Sequence, residues 1–342
     1  MRTRRTMTRR RTQWSRVFFS AALLVVVMLS AVVPGVSQTT DPIETVRVDS
    51  DLVDLQVSIL NHDASRSPAQ LQPQDFLVFE DGVPQEIMFF AAADAPFDLI
   101  LLLDLSGSTA NKLDLIRKSS KRFVAATRPM DRIAIVTFTD VAQIVAKLTS
   151  SREELSAAID TIQKPVGGTN FWDALRYVLE VVARPAPASR RSAVVVMTDG
   201  IDNALPDVSG EGSHTMFDEL LNLVRHSNAI VFPIYLDTEE ETVKRHLAPA
   251  SAYETARRQL EQLAEAAGTI TYRAQKLRDL ESVYTQVIRD LATVYSIGYR
   301  PAAGSRDGKW HKVDVQVVSH PELIARSRSG YYARTLSNNR PE

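Results

Sequence analysis

Two stretches of this chain read as apolar along their length and stop at an aspartate: Phe97–Leu103 ahead of Asp104, and Ala193–Thr198 ahead of Asp199. A strand with one wet face alternates apolar and polar residues, whereas a strand covered on both faces does not. These two are therefore read as central strands of a parallel sheet. Around them the periodicities alternate. Strand patterns fall at Arg132–Phe138, Val141–Leu148, Ile230–Leu236 and Thr269–Arg273. Helical patterns fall at Lys112–Thr127, Arg152–Ile162, Phe171–Ala183, Met216–His226, Tyr253–Ala267 and Leu277–Thr293. Strands separated by helices make βαβ crossovers, so the expected fold class is α/β: a doubly wound, mainly parallel sheet of about six strands with helices on both faces. Pro185–Ser192 and Asp237–Ser251 are read as exposed loops.

The flanks have a different character. Val53–Ile59 alternates with period two, Phe76–Glu80 and Glu86–Phe90 surround an Asp81-Gly82 turn as a hairpin, and Pro84 is tolerable only near its start or edge. Beyond the block, Tyr295–Tyr299 alternates, as do Val313, Val315 and Val317, and a last short stretch reaches Tyr331-Tyr332. Strand patterns at both ends of an α/β block are most economically paired with each other. The expected organisation is a signal peptide at 1–37, the N-terminal part of a small β module at 38–95, the α/β domain at 96–293, the C-terminal part of the module at 294–334 and a tail at 335–342.

Residues 1–37 hold seven arginines and no acid, with an apolar run at Val17–Val33 and small residues Gly35 and Ser37 at the −3 and −1 positions of a cleavage site. This is the pattern of a secretory signal. The run falls short of the roughly 20 residues that span a bilayer, which makes an uncleaved anchor the second choice and the chain's one route to a membrane. The protein is accordingly expected to be exported: periplasmic, in the cell envelope, or secreted. Removing those seven arginines from the formal charge of −1 leaves the rest at −8, which argues against nucleic acid as a partner. The chain has no cysteine, so zinc-thiolate, iron–sulfur and thiol chemistry are excluded.

In open α/β sheets, ligands bind beyond the carboxyl ends of the strands. Three segments put oxygen donors there: Asp104-Leu105-Ser106-Gly107-Ser108, Gly167-Gly168-Thr169 ahead of the Phe171 helix, and Thr198-Asp199-Gly200. Two carboxylates and three hydroxyls, with no imidazole or thiolate, suit a hard divalent cation such as magnesium. The two carboxylates balance its charge and the neutral hydroxyls add little, so a vacant position should attract an anionic oxygen.

Asp-x-Ser-x-Ser, a distant Thr after paired glycines and a later Thr-Asp-Gly resemble the metal-ion-dependent adhesion site of von Willebrand factor type A domains. The likeness covers roughly Phe97 to Thr293. Phe79 to Gly82 and Tyr295 to Tyr299 also resemble the flanks of a bacterial exported subgroup. The resemblance implies a type A domain at 96–293, with Asp104, Ser106, Ser108, Thr169 and Asp199 as metal-site residues. It further implies magnesium as the ion, calcium or manganese being the alternatives, and a protein partner that contributes an acidic residue. The expected function is thus a metal-dependent protein-binding or adhesion module and not an enzyme.

Two other readings stand beside it. One is a metal-dependent phosphoesterase-like hydrolase using Asp104, although such phosphatases require an acid where Ser106 stands. The other is a metal-free structural scaffold of the envelope. No Gly-x-Ser-x-Gly elbow or Walker A loop is present. Asp140, Asp173, Asp202 and Asn203 are read first as turn and helix-start residues. The six histidines (His62, His214, His226, His246, His311, His320) are read as solvated surface, Trp172 and Tyr177 as core, and Glu239, Glu240 and Glu241 as a solvated loop.

Overall fold

The computed structural model describes residues 52–61, 70–107, 113–163, 167–183, 190–244, 248–276, 279–301 and 307–333. The expected signal peptide at 1–37, the tail at 335–342 and Ser108 lie outside the described residues. Among the described residues no helix is long and apolar enough to cross a membrane.

The chain begins with β1 (Val53–Asn61), β2 (Phe76–Glu80), β3 (Val83–Gln85) and β4 (Ile87–Ala91). It continues through β5 (Phe97–Asp104), α1 (Leu113–Ala126), β6 (Arg132–Phe138), β7 (Ala142–Thr149), α2 (Arg152–Thr161) and α3 (Phe171–Tyr177), which runs on as a π-helical turn (Val178–Val182). Then come β8 (Arg191–Thr198), α4 (Phe217–His226), β9 (Ile230–Leu236), α5 (Glu239–Lys244), α6 (Ala250–Ala266), β10 (Tyr272–Ala274) and α7 (Leu280–Leu291). The last strands are β11 (Val294–Tyr299), β12 (Trp310–Val317), β13 (Leu323–Arg326) and β14 (Gly330–Tyr332).

The central sheet has six strands in the order β10-β9-β8-β5-β6-β7, parallel except for the β6–β7 pair. β5 and β8 are neighbours at its centre, with Leu101 opposite Val195, and every residue of both is buried. Side chains alternate between faces along a strand. Leu99, Leu101 and Leu103 therefore meet Phe123 of α1, Ile159 of α2 and Val287 of α7, while Ile100 and Leu102 share the opposite core with Leu175 of α3, Val224 of α4 and Leu260 of α6. Asp98, the acid within the Phe97–Leu103 run, is held by Arg132 at 2.5 and 2.8 Å and by Arg190 at 2.7 Å.

The flanking strands form two further four-stranded sheets, β13-β1-β11-β4 and β14-β12-β2-β3. β1 runs antiparallel to β11, and β12 antiparallel to β2, so the two ends of the chain pair as expected. The sheets share one core that includes Leu55, Val57, Val78, Ile297, Tyr299 and Val315. The expected hairpin is corrected: β2 pairs with β3, and β4 crosses to β11 in the other sheet. Asp81 and Gly82 both have positive φ, 49° and 81°, as a two-residue primed turn requires. That turn sets Glu80 opposite Val83, which places Pro84 on an edge strand.

β4 leads into β5 and α7 leads into β11, while β4 and β11 are themselves neighbours, with Phe90 opposite Ile297. The α/β block thus departs from and returns to adjacent strands of one sheet. Arginines fasten both crossings. Arg191 donates to the carbonyls of Ala93, Ala95 and Val294, and Arg128 to those of Ala93, Asp94 and Ala95.

Three smaller expectations are also corrected. Asp237–Ser251 holds α5 and the start of α6, because Glu239 is anchored to Arg257 at 2.5 Å and a six-residue helix offers no apolar period to read. Pro185–Ser192 gives way to β8 at Arg191. His311 is buried, its ring nitrogens 2.8 Å from Asp81 and 3.1 Å from Asp307.

Candidate metal centre

The parallel register of β5 and β8 carries Asp104 and Asp199 to the same end of the sheet. Asp104 is fully buried; its Oδ1 accepts from the Ser106 amide at 2.8 Å and its Oδ2 from the Thr198 hydroxyl at 2.6 Å. Asp199 Oδ1 accepts from the Ile201 amide at 3.1 Å and Oδ2 from the Thr238 hydroxyl at 2.6 Å. Burial, reinforced by the charge of Asp199, pushes the Asp104 carboxyl up to about 7. Two buried acids that repel each other call for a countercharge.

Thr169 reaches this end through a loop in which Gly167 takes a φ of 139°, a conformation that favours glycine. The Gly168 amide donates to Asp140 at 2.6 Å. The Thr169 carbonyl is held by the Asn203 amide at 2.9 Å. Asp202, fully buried, accepts from the amides of Trp172, Ala204 and Ser213 and from the Ser213 hydroxyl, at 2.6 to 3.0 Å. It therefore caps the start of α3 from a separate loop. Asp173 accepts from the amides of His214 and Thr215 at 2.8 and 2.9 Å. Asp140, Asp173 and Asp202 thus serve backbone amides, as their turn and helix-start reading expects, and Trp172 is buried against Phe217.

Ser106, Thr169 and Asp199 line one pocket of about 150 Å³, together with Gly107, Gly168 and Tyr253. Asp104 meets it through the Ser106 amide, and Ser108 lies outside the described residues. Among the described residues no cluster of three acidic or histidine side chains could hold a metal, so any ion here depends on hydroxyls beside the two carboxylates. That all-oxygen set fits a hard divalent cation. Sequence reasoning missed Thr238 and Tyr253, whose hydroxyls lie 3.1 Å apart behind Asp199. Thr238 carries the same signal as Thr198, a hydroxyl at the end of a buried strand. Tyr253 carries none, being an aromatic at core spacing on α6.

The family model of the von Willebrand factor type A domain matches residues 98–286. A protein of Nocardia farcinica described as a UPF0353 protein is 23% identical over 238 residues, covering 65% of this chain and 68% of that one. Human calcium-activated chloride channel regulator 4 is 32% identical over 111 residues, 30% of this chain and 12% of the human protein. Among solved structures, proximal thread matrix protein 1 from the mussel byssus aligns with a TM-score of 0.45 and 19% identity over 62% of this chain. The alignment spans half of the mussel protein, and another structure of it is described with a zinc-occupied metal-ion-dependent adhesion site. The matched segment of the family model exceeds half of the sequence, and this chain belongs to the von Willebrand factor type A family.

Proposed function

We propose that the chain is an exported, divalent-cation-dependent protein-binding module. Type A domains mediate protein–protein interactions. In this reading Ser106, Ser108 and Thr169 hold magnesium through their hydroxyl oxygens, with Asp104 and Asp199 binding it directly or through water; calcium and manganese are the alternative ions. When bound, the ion supplies a positive charge able to accept a carboxylate from a protein partner. The observation that carries the reading is the pair of buried, mutually repelling carboxylates beside a pocket lined by Ser106 and Thr169. Water exclusion at an interface strengthens a Coulombic contact of that kind. Export rests on the arginine-rich start, the apolar run and the small residues before position 38.

Calorimetric titration of the full chain with Mg²⁺ and Mn²⁺ tests the site. One ion per chain is expected, lost in Asp104→Ala and in Thr169→Ala, and partner capture from the source cell's envelope should fail in excess chelator. A partner that binds equally well to chelated protein would make the domain a metal-independent scaffold. Mass spectrometry of the mature protein tests export: cleavage after Ser37 is expected, and an intact amino terminus in the envelope fraction would mean an anchor.

A further inference from the structure

Thr238 follows β9 at the same end of the sheet as Asp104 and Asp199, and its hydroxyl stands between two partners. Asp199 Oδ2 is 2.6 Å away and the Tyr253 hydroxyl 3.1 Å away. The three side chains belong to residues that are 3%, 1% and 0% exposed, for Thr238, Asp199 and Tyr253 in turn. A hydroxyl has one proton to give, and an ionised carboxylate has none. Thr238 therefore donates to Asp199 and accepts from Tyr253, which is itself hydrogen-bonded to Thr242 of α5. Each donor in such a series polarises the next, so the bond reaching Asp199 is a strong one. Thr198 makes the matching 2.6 Å contact with Asp104.

An oxygen that accepts a short hydrogen bond has less charge to offer a cation. We infer that Thr238 is a positioning residue that engages Asp199 Oδ2 and so restrains that carboxylate from closing on a cation held beside Ser106 and Thr169. The cation's charge is thereby kept for the partner's carboxylate. This inference rests on the cation reading above, and it assigns the hydroxyl series the task of setting how strongly the site attracts an acidic partner.

The test uses the full chain and Mn²⁺ alone, at about pH 8, above the value of about 7 to which burial raises Asp104. Thr238→Val keeps the side-chain shape and deletes the donor. Mn²⁺ is expected to bind about fivefold more tightly than to wild type, the released hydrogen bond being comparable in size to that difference. The enhancement of water-proton relaxation, which reports water on the ion, is expected to fall as Asp199 displaces a water. Tyr253→Phe, which removes only the polarising donor, should move both readouts the same way by less, and it decides the matter if Thr238→Val does not fold. A purely structural role predicts weaker binding with no loss of water, and unchanged or weaker binding in a variant that melts like wild type overturns the inference while leaving the cation site intact. Absence of Mn²⁺ binding to wild type overturns both.

Discussion

Asp104 is fully buried, and its carboxyl is pushed up to about 7 by burial first and by Asp199 second. A carboxyl that holds its proton more tightly in the folded chain stabilises the fold below its unfolded value, near 4, and loses that contribution as pH rises through about 7. In chelator the wild-type protein should therefore weaken relative to Asp104→Asn across this window, by at most about 1.4 kcal/mol per pH unit. Thermal melting of the two proteins from about pH 4 to 8 checks this, and a gap that stays constant would contradict the raised Asp104 carboxyl. At this scale the sequence was informative where a polar residue ended an apolar strand or followed a glycine pair, as with Asp104, Ser106, Thr169 and Asp199. It was silent on Tyr253, because a tyrosine packed at helical spacing looks the same whether or not its hydroxyl reaches a carboxylate on a distant strand.

Among the elements, α3 owes its placement to Asp202, which no local pattern on α3 reveals. Asp202→Ala would leave the amides of Trp172, Ala204 and Ser213 without their acceptor, and a loss of about 3 kcal/mol or more is expected in denaturant unfolding. Mn²⁺ affinity should fall with it, since the neighbouring Asn203 amide holds the Thr169 carbonyl; normal affinity would show that the loop keeps its place unaided. The central strands were legible because burial on both faces suppresses alternation. α5 was not, since six residues are too few to show an apolar period, and the ion pair that ties Glu239 to Arg257 joins two separate elements. The partition of β3 and β4 between two sheets was equally hidden: a primed turn dictates which residues pair across it, but not where the chain goes three residues later.

For the whole molecule, the six-stranded sheet and the pairing of the two chain ends followed from the order of the patterns, while the division of the flanks into two sheets depends on contacts between distant strands. Deleting 294–342 removes β11, the partner of both β1 and β4. Hydrogen exchange at Val53–Ile59 should then become fast, and protection equal to that of the full chain would mean that the N-terminal strands hold themselves together. The block's two crossings lie at the end of the central sheet opposite Asp104 and Asp199, about 25 Å away by the length of an eight-residue strand. A tensile load arriving at Thr169 would be divided between two covalent tethers pulled in the same direction. β4 and β11 would then not slide past each other, and in a chain held at the Val53 end of β1 the load would pass to the β11–β1 pairing as shear along six paired residues.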